Sequence, residues 1–460
     1  MTSCAEPAAS ASSGESLWRH RNFRRYLTGL AVSAAGSSIT QMALPVLAVL
    51  YLDATTAQVA YLTFLGQLPH ALFALHAGAL AERRSKRRQM ITGDLVCAGV
   101  LVTVPVSAAL GTLTLTQLMI VALVRGTATV VHDAAAISLL PSLVDRSLIQ
   151  RSNSRVGALF GIAASGGSHF GAVLTAVLGP ARALLGDAAS YLISAGCTAR
   201  IQALEPARVR VTSGSLRNEI GEGLRYVHGE HRLRTLTLVN ATTSFAVGLF
   251  NTLGALYLLR TLAMSATAFG MVLGLGTLGA AAGALTAPAL ARRYGPGPMM
   301  TGALAITPLT QFPLLLASPG FGWQVAIGAA LFLQFACAGA VGTTQRSIRQ
   351  IITTAGMQAR MQAVSTWLTY GARPVAALLA GGLGTWIGVR ASLTVGAALL
   401  LVPFLILASS PLRALRQMPD PPGPATAPVQ PQPRTGPSLV PEARRTQDDQ
   451  SNWSLESDGP

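Results

Sequence analysis

The sequence predicts an all-α integral membrane protein with twelve transmembrane helices in two six-helix bundles. Three observations carry this. Half of the 460 residues are hydrophobic and 11% are charged, with mean hydropathy +0.46; a soluble chain of this length needs more charge to cover its surface. Twelve runs are long and apolar enough to cross a bilayer, for which about 20 residues are needed. The Lys and Arg residues fall between those runs on alternate sides.

The runs are 27–50, 57–81, 90–110, 115–138, 156–178, 183–203, 235–259, 266–291, 298–317, 322–345, 361–386 and 391–410. They divide the chain into an N-terminal segment (1–26), a first bundle (27–203), a central loop (204–234), a second bundle (235–410) and a tail (411–460). The central segment is polar, basic and broken by Pro206 and Gly214, so it reads as a loop. Beyond Pro411 the chain is rich in Pro, Gln, Ser and charge, a composition that favours disorder. Residues 1–16 are small and polar, and the run that begins near Leu27 is too long for a signal-peptide core.

Basic clusters at Arg19–Arg25, Arg83–Arg88, Arg146–Arg155, Arg200–Arg234, Arg292–Arg293, Arg346–Arg360 and from Arg413 onward share one side of this arrangement. Arg182, Arg260 and Arg390 lie on the other. The asymmetry places both termini and the central loop in the cytoplasm of a multi-pass cell-membrane protein. The net charge of +16 is therefore read as topology, with the lipid bilayer and not nucleic acid as partner. Cys4, Cys97, Cys197 and Cys337 are scattered, which argues against a disulfide framework or a metal site. P-loop, nucleophile-elbow and zinc patterns are lacking. The chain is expected to be no enzyme, to use no cofactor, and to draw energy from an ion gradient.

"ALAERRS" at 79–85 recurs as "ALARRYG" at 289–295, each time at the end of the second run of a six-run group. Parallel repeats of this kind suit a two-bundle transporter. "GALAERRSKRR" (78–88) combines a close-packing glycine, an acid and a basic cluster. Gly78, Glu82, Arg83, Arg87 and Arg88 are read as a latch that can break at the membrane rim.

Charges inside the spans are the strongest functional clues, since each costs several kcal/mol unless paired or wet. Arg125, His132 and Asp133 share a helix at a spacing that puts them on roughly one side. With Asp94 and Arg373 they are the candidates for proton coupling or substrate contact, Asp133 being the leading titrating group. Asp187 is expected as a helix cap near the outer surface. His70, His76 and His169 read as polar interhelical residues. Gly157, Gly161, Gly167 and Gly171 form small-xxx-small pairs that permit close helix contact.

The chain resembles the major facilitator superfamily, and within it the macrolide-efflux-like branch. The resemblance rests on "GALAERRSKRR", "LLPSLVDRSLIQRSNS" (139–154), "LLGDAASYLISA" (184–195), "NEIGEGLRYVHGEHRLRTLTL" (218–238) and the closing "GARPVAALLAGGLGTWIGVRASL" with "SPLRALRQMP". Glu82 and Ser85 stand where the signature loop usually has Asp and Gly. Gly167 and Ser168 replace the Gly-Pro pair usual in exporters. The resemblance implies a secondary transporter that exports a small amphipathic molecule (a drug, a macrolide-like compound or a siderophore) against protons, as a monomer, by alternating access. A lysophospholipid flippase is the first rival reading, and a non-transporting receptor or scaffold the second.

Overall fold

The computed structural model describes residues 20–83, 85–144, 149–202, 216–354 and 357–419. Among them the regular elements are helices and helical turns. In lipid every backbone polar group must be satisfied within its own segment, and a helix does this alone.

The first six long helices are α1 (Arg21–Val46), α2 (Thr56–Arg83), α3 (Lys86–Ala109), α4 (Leu115–Leu139), α5 (Ile149–Leu178) and α6 (Pro180–Ala199). A shorter helix, α7 (Leu216–Gly229), follows. Then come α8 (His231–Leu256), α9 (Ala266–Tyr294), α10 (Pro296–Leu309) with the short α11 (Phe312–Leu316), α12 (Phe321–Ile352), α13 (Gln358–Trp386), and α14 (Val389–Leu399) with α15 (Leu401–Ala408).

Eight of these segments are both long and apolar enough to cross a membrane. They are α1, α3, α4, α8, α9, α10–α11, α12 and α14–α15. The remaining four expected spans fall on α2, α5, α6 and α13, all of 20 residues or more. In α6 and α13, residues such as Asp187, Ser190, Ser365 and Arg373 face protein rather than lipid, which lowers hydropathy without shortening the helix. Large apolar side chains stand out on the surface of the assembly, among them Ile137, Val177, Leu285 and Trp386. Such a surface suits hydrocarbon, not water.

Local chemistry sets the helix ends. Ser85 Oγ accepts from Arg88 N (3.4 Å) and caps α3, so the serine that replaces a usual glycine has its own task. Thr114 caps α4 and Ser265 caps α9 in the same way. Gly179 and Gly295 turn the chain at φ 80° and 90°, and a proline opens the next helix each time.

α1 packs on α5 and α6, α2 on α4, and α3 on both α4 and α6. In the second half α9 packs on α12, and α8 on α13, α14 and α15. Two seams join the halves, α2 with α13 and α5 with α9. At α1–α5, a Cβ on Gly167 would collide with the Ala35 backbone, so the two helices touch main chain to main chain.

The repeat is also structural. α1 ends in a π-turn (Leu47–Tyr51) and α8 in another (Tyr257–Thr261). A left-handed residue follows each, Asp53 (φ 47°) and Ala263 (φ 49°). Leu52 N donates to Leu47 O and Ala54 N to Ala48 O; Leu262 N donates to Tyr257 O and Met264 N to Leu258 O. The second copy lies 210 positions after the first (Leu47 to Tyr257), the same offset as between Ala79 and Ala289 in the sequence repeat. At this corner Arg260 crosses between the halves. It donates to Val49 O (3.1 Å) and Ala54 O (3.3 Å) and pairs with Asp53 (3.3 Å).

Two expectations change. The central segment is not all loop, because α7 has a strong amphipathic pattern and buries Val227 against Leu233, Met361 and Val364. The tail does not loosen at residue 411. Pro411–Ala414 form a 3₁₀ turn, Leu412 is buried, and Leu415 O accepts from Gly297 N (2.9 Å), docking this segment on α10.

Candidate functional site

α3 and α4 run side by side, and Gly93 sets their distance. A Cβ there would lie 3.2 Å from both the Ala128 carbonyl oxygen and the His132 Cβ. With no side chain in the way, the next residue, Asp94, comes against His132. Asp94 is fully buried and its carboxylate stands 3.4 Å from His132 Nε2. The other ring nitrogen, Nδ1, lies 3.2 Å from Asp133 Oδ1. The Asp133 side chain is 58% exposed. The imidazole therefore bridges a sealed carboxylate and an open one.

Such a bridge can pass a proton. Imidazole takes a proton on one nitrogen and releases one from the other, and in the neutral ring one nitrogen donates while the other accepts. Asp94 Oδ1 and His132 Nε2 stand at ion-pair distance without an aligned hydrogen bond between them. The pair is close without being locked. Among the described residues no three His, Cys, Asp or Glu side chains converge to hold a metal ion. The three groups form a line, not a cage.

Arg125 sits two helical turns away from His132, about 10 Å along α4, and it belongs to a different cluster. It is in electrostatic range of Asp187 and Tyr191 on α6. Asp187 is fully buried and accepts from Thr40 Oγ1 on α1 and from Ser190 Oγ (3.1 Å). Tyr191 Oη bonds Ser37 Oγ (3.0 Å). α1 and α6 are thus tied through one carboxylate and hydroxyls, with the Arg125 cation of α4 in electrostatic range. Asp187 is a core residue here and not a cap near the surface.

Arg373 lies across the α2–α13 seam. Its guanidinium stands over the Tyr370 ring at 4.8 Å, and its Nε is 3.3 Å from Ser244 Oγ on α8. Tyr370 stacks on His70 of α2 (5.4 Å, 24°), and Trp367 Nε1 donates to Ala71 O (3.2 Å). His70 is in electrostatic range of Asp133, Arg373 and Arg125, so this seam borders both charged clusters.

The structure thus separates Arg125 from the His132–Asp133 pair, joins that pair to Asp94, and puts Arg373 on the other half. Of the residues expected to form a latch, Arg87 donates to the carbonyls of Thr198 and Ala199 at the end of α6; its neighbour Lys86 donates from Nζ to Ser138 O (3.0 Å). Arg88 is exposed. The side chains of His76, Gly78, Glu82 and Arg83 lie outside the described residues, as do Gly157, Gly161 and His169. Gly171 approaches the Ile39 backbone of α1.

Sequence reasoning missed Thr40, Tyr191, Tyr370 and Trp367. Uncharged side chains give no cost signal in a sequence, and aromatic residues in a span read first as packing. Tyr370 precedes Arg373 by three residues, a spacing that stacks side chains on one helix face, and that was the available signal.

A family model described as "transmembrane secretion effector" matches residues 12–441. The chain belongs to that family. The multidrug efflux pump Tap of Mycolicibacterium fortuitum is 26% identical over 381 residues, covering 78% of this chain and 88% of that protein. A bacterial homologue of the iron transporter ferroportin, inward-facing, superposes with a TM-score of 0.69 at 15% identity, covering 86% of this chain and 99% of the other. The nucleoside transporter NupG gives 0.65 at 13% identity, covering 85% and 99%. These findings bear out the resemblance to major facilitator transporters: the family's members are multi-pass membrane proteins, and this chain is a membrane transporter of that type.

Proposed function

We propose that this chain is a proton-driven exporter of a small amphipathic organic molecule, with twelve spans in two six-helix bundles (27–203 and 235–410). On this reading α2, α5, α6 and α13 also cross the membrane. Residues 204–234 and both termini are cytoplasmic, in the cell membrane, and one chain suffices for transport. The similarity to a multidrug efflux pump supports export and the class of cargo.

The observation that carries proton coupling is the Asp133–His132–Asp94 line. Asp133 is open to solvent and Asp94 is sealed, with a titratable ring between them. A proton entering at Asp133 reaches Asp94 through His132. Once protonated, Asp94 loses its ionic attraction to His132, and α3 and α4 are freer to shift. Arg125 with Asp187 keeps α4 tied to α6 and α1 during the change. Arg260 clasps one end of the molecule, and release of that clasp opens the path on that side.

The test is a susceptibility panel in a pump-deficient host, covering macrolides, amphipathic dyes and acidic compounds, with wild type and Asp94→Asn. Resistance to at least one amphipathic compound, lost in Asp94→Asn at equal expression, is the expected result. Lipid movement by the purified protein with no change in any susceptibility would favour the flippase reading instead.

A further inference from the structure

Between Glu230 and Asp420 the sequence contains no Asp or Glu. The acids at membrane depth, Asp94, Asp133 and Asp187, all belong to the first half. Arg373 is thus a cation inside a half that has no carboxylate to balance it. Among the described residues it forms no ion pair, and Asp133, the exposed acid near this seam, pairs with His132. A ring face and a hydroxyl are its partners.

Arg373 lines a partly open cavity of about 200 Å³ whose walls come from α8, α10, α12 and α13. The other polar lining is uncharged, including Asn240, Ser244, Gln334 and Gln345, and Cys337 is also on the wall. Gln334 and Gln345 are 5% and 1% exposed. Gln334 Oε1 and Gln345 Nε2 have no hydrogen-bond partner among the described residues. Buried polar atoms left without partners cost about 1–3 kcal/mol each; a carboxylate can accept from Gln345 Nε2, whereas Gln334 Oε1, itself an acceptor, is met only by a donor elsewhere on the ligand. A volume of 200 Å³ is below the usual range for a whole drug-sized molecule, roughly 300–1,000 Å³. It suits one polar group of such a molecule.

We infer that this cavity is an anion subsite, which receives a carboxylate or comparably anionic group of the cargo, with Arg373 as its counter-ion and Gln345 as a donor. The inference rests on the exporter reading for the identity of the ligand, but not for the charge preference of the cavity. A guanidinium with no acid in its half attracts negative charge and repels a cation. The relay and this subsite lie on opposite halves, so a proton and an anionic group act on the two sides of the α2–α13 seam.

Cys337 reports on the cavity without any knowledge of the cargo. In full-length protein with Cys4, Cys97 and Cys197 replaced by alanine, Cys337 is modified with a 2-sulfonatoethyl or a 2-(trimethylammonium)ethyl methanethiosulfonate. Each rate is divided by that reagent's rate with a free small thiol. The sulfonate reagent should be favoured about tenfold, as expected for one unit charge at short range in a partly screened site. Arg373→Gln should abolish the preference, and Arg373→Lys should keep it; Arg373→Met replaces Arg373→Gln if that variant does not fold. Equal rates, a preference for the cationic reagent, a preference that survives loss of the charge, or a Cys337 that reacts with neither reagent would each overturn the subsite. Because nothing is transported, failure here leaves the exporter reading standing, and failure of export leaves the charge preference measurable.

Discussion

His132 has two carboxylates and a choice of which one it serves. Its Nε2 faces Asp94, which is sealed from solvent, and its Nδ1 faces Asp133, which is open. His132→Gln keeps a polar side chain but cannot carry a proton, so proton-driven accumulation of cargo should fall at least tenfold, while exchange of labelled for unlabelled cargo persists. Loss of both activities together would show that His132 is needed for the fold and not for coupling. Arg125→Ala should act differently. It leaves Asp187 buried with Thr40 and Ser190 alone, and the cost is about 1–3 kcal/mol in stability. That loss should appear as a lower melting temperature in detergent, and an unchanged one would contradict the Arg125–Asp187 tie. The sequence showed which charges lie at membrane depth, because an apolar run makes each stand out. It did not show that Arg125 and His132 part company. Residues seven apart share a helix face, yet α3 and α6 present different partners to the two ends of that face, and partners from distant segments cannot be read from one helix.

Among the elements, the paired corners after α1 and α8 are where the proposed gating clasp sits. Both corners have a π-turn and a left-handed residue, but Asp53 stands in one and Ala263 in the other. Only the second copy carries the arginine, and Arg260 reaches over to the first. Arg260→Ala should therefore raise, severalfold, the population in which this end is open. Spin labels at Tyr51 and Thr261 would report it as a longer distance component, and an unchanged distance distribution would contradict a gating clasp. The corner itself was not legible, since π-turns have no sequence signature; the 210-residue offset was, through "ALAERRS" and "ALARRYG". The opposite case is α7. Pro206, Gly214 and many charges hid a helix whose apolar stripe, with Val227, is short and packs on α13.

Over the whole molecule the charges are divided unequally. Acids at membrane depth occupy the first half, and the second half between Glu230 and Asp420 has cations alone. On the proposed reading, this division gives proton handling to α3 and α4 and leaves the second half to hold negative charge. The proposed orientation follows from the basic residues at the loop ends. A cysteine in place of exposed His228 on α7 should resist an impermeant thiol reagent applied to intact cells and react in inverted vesicles. Labelling in intact cells would reverse the proposed topology. The most direct test of the central claim is cargo accumulation in proteoliposomes under an imposed pH gradient, wild type against Asp94→Asn, with a compound to which the chain confers resistance. Wild type should concentrate the compound, and Asp94→Asn should let it equilibrate without concentrating it. Accumulation by Asp94→Asn at the wild-type rate would contradict the relay.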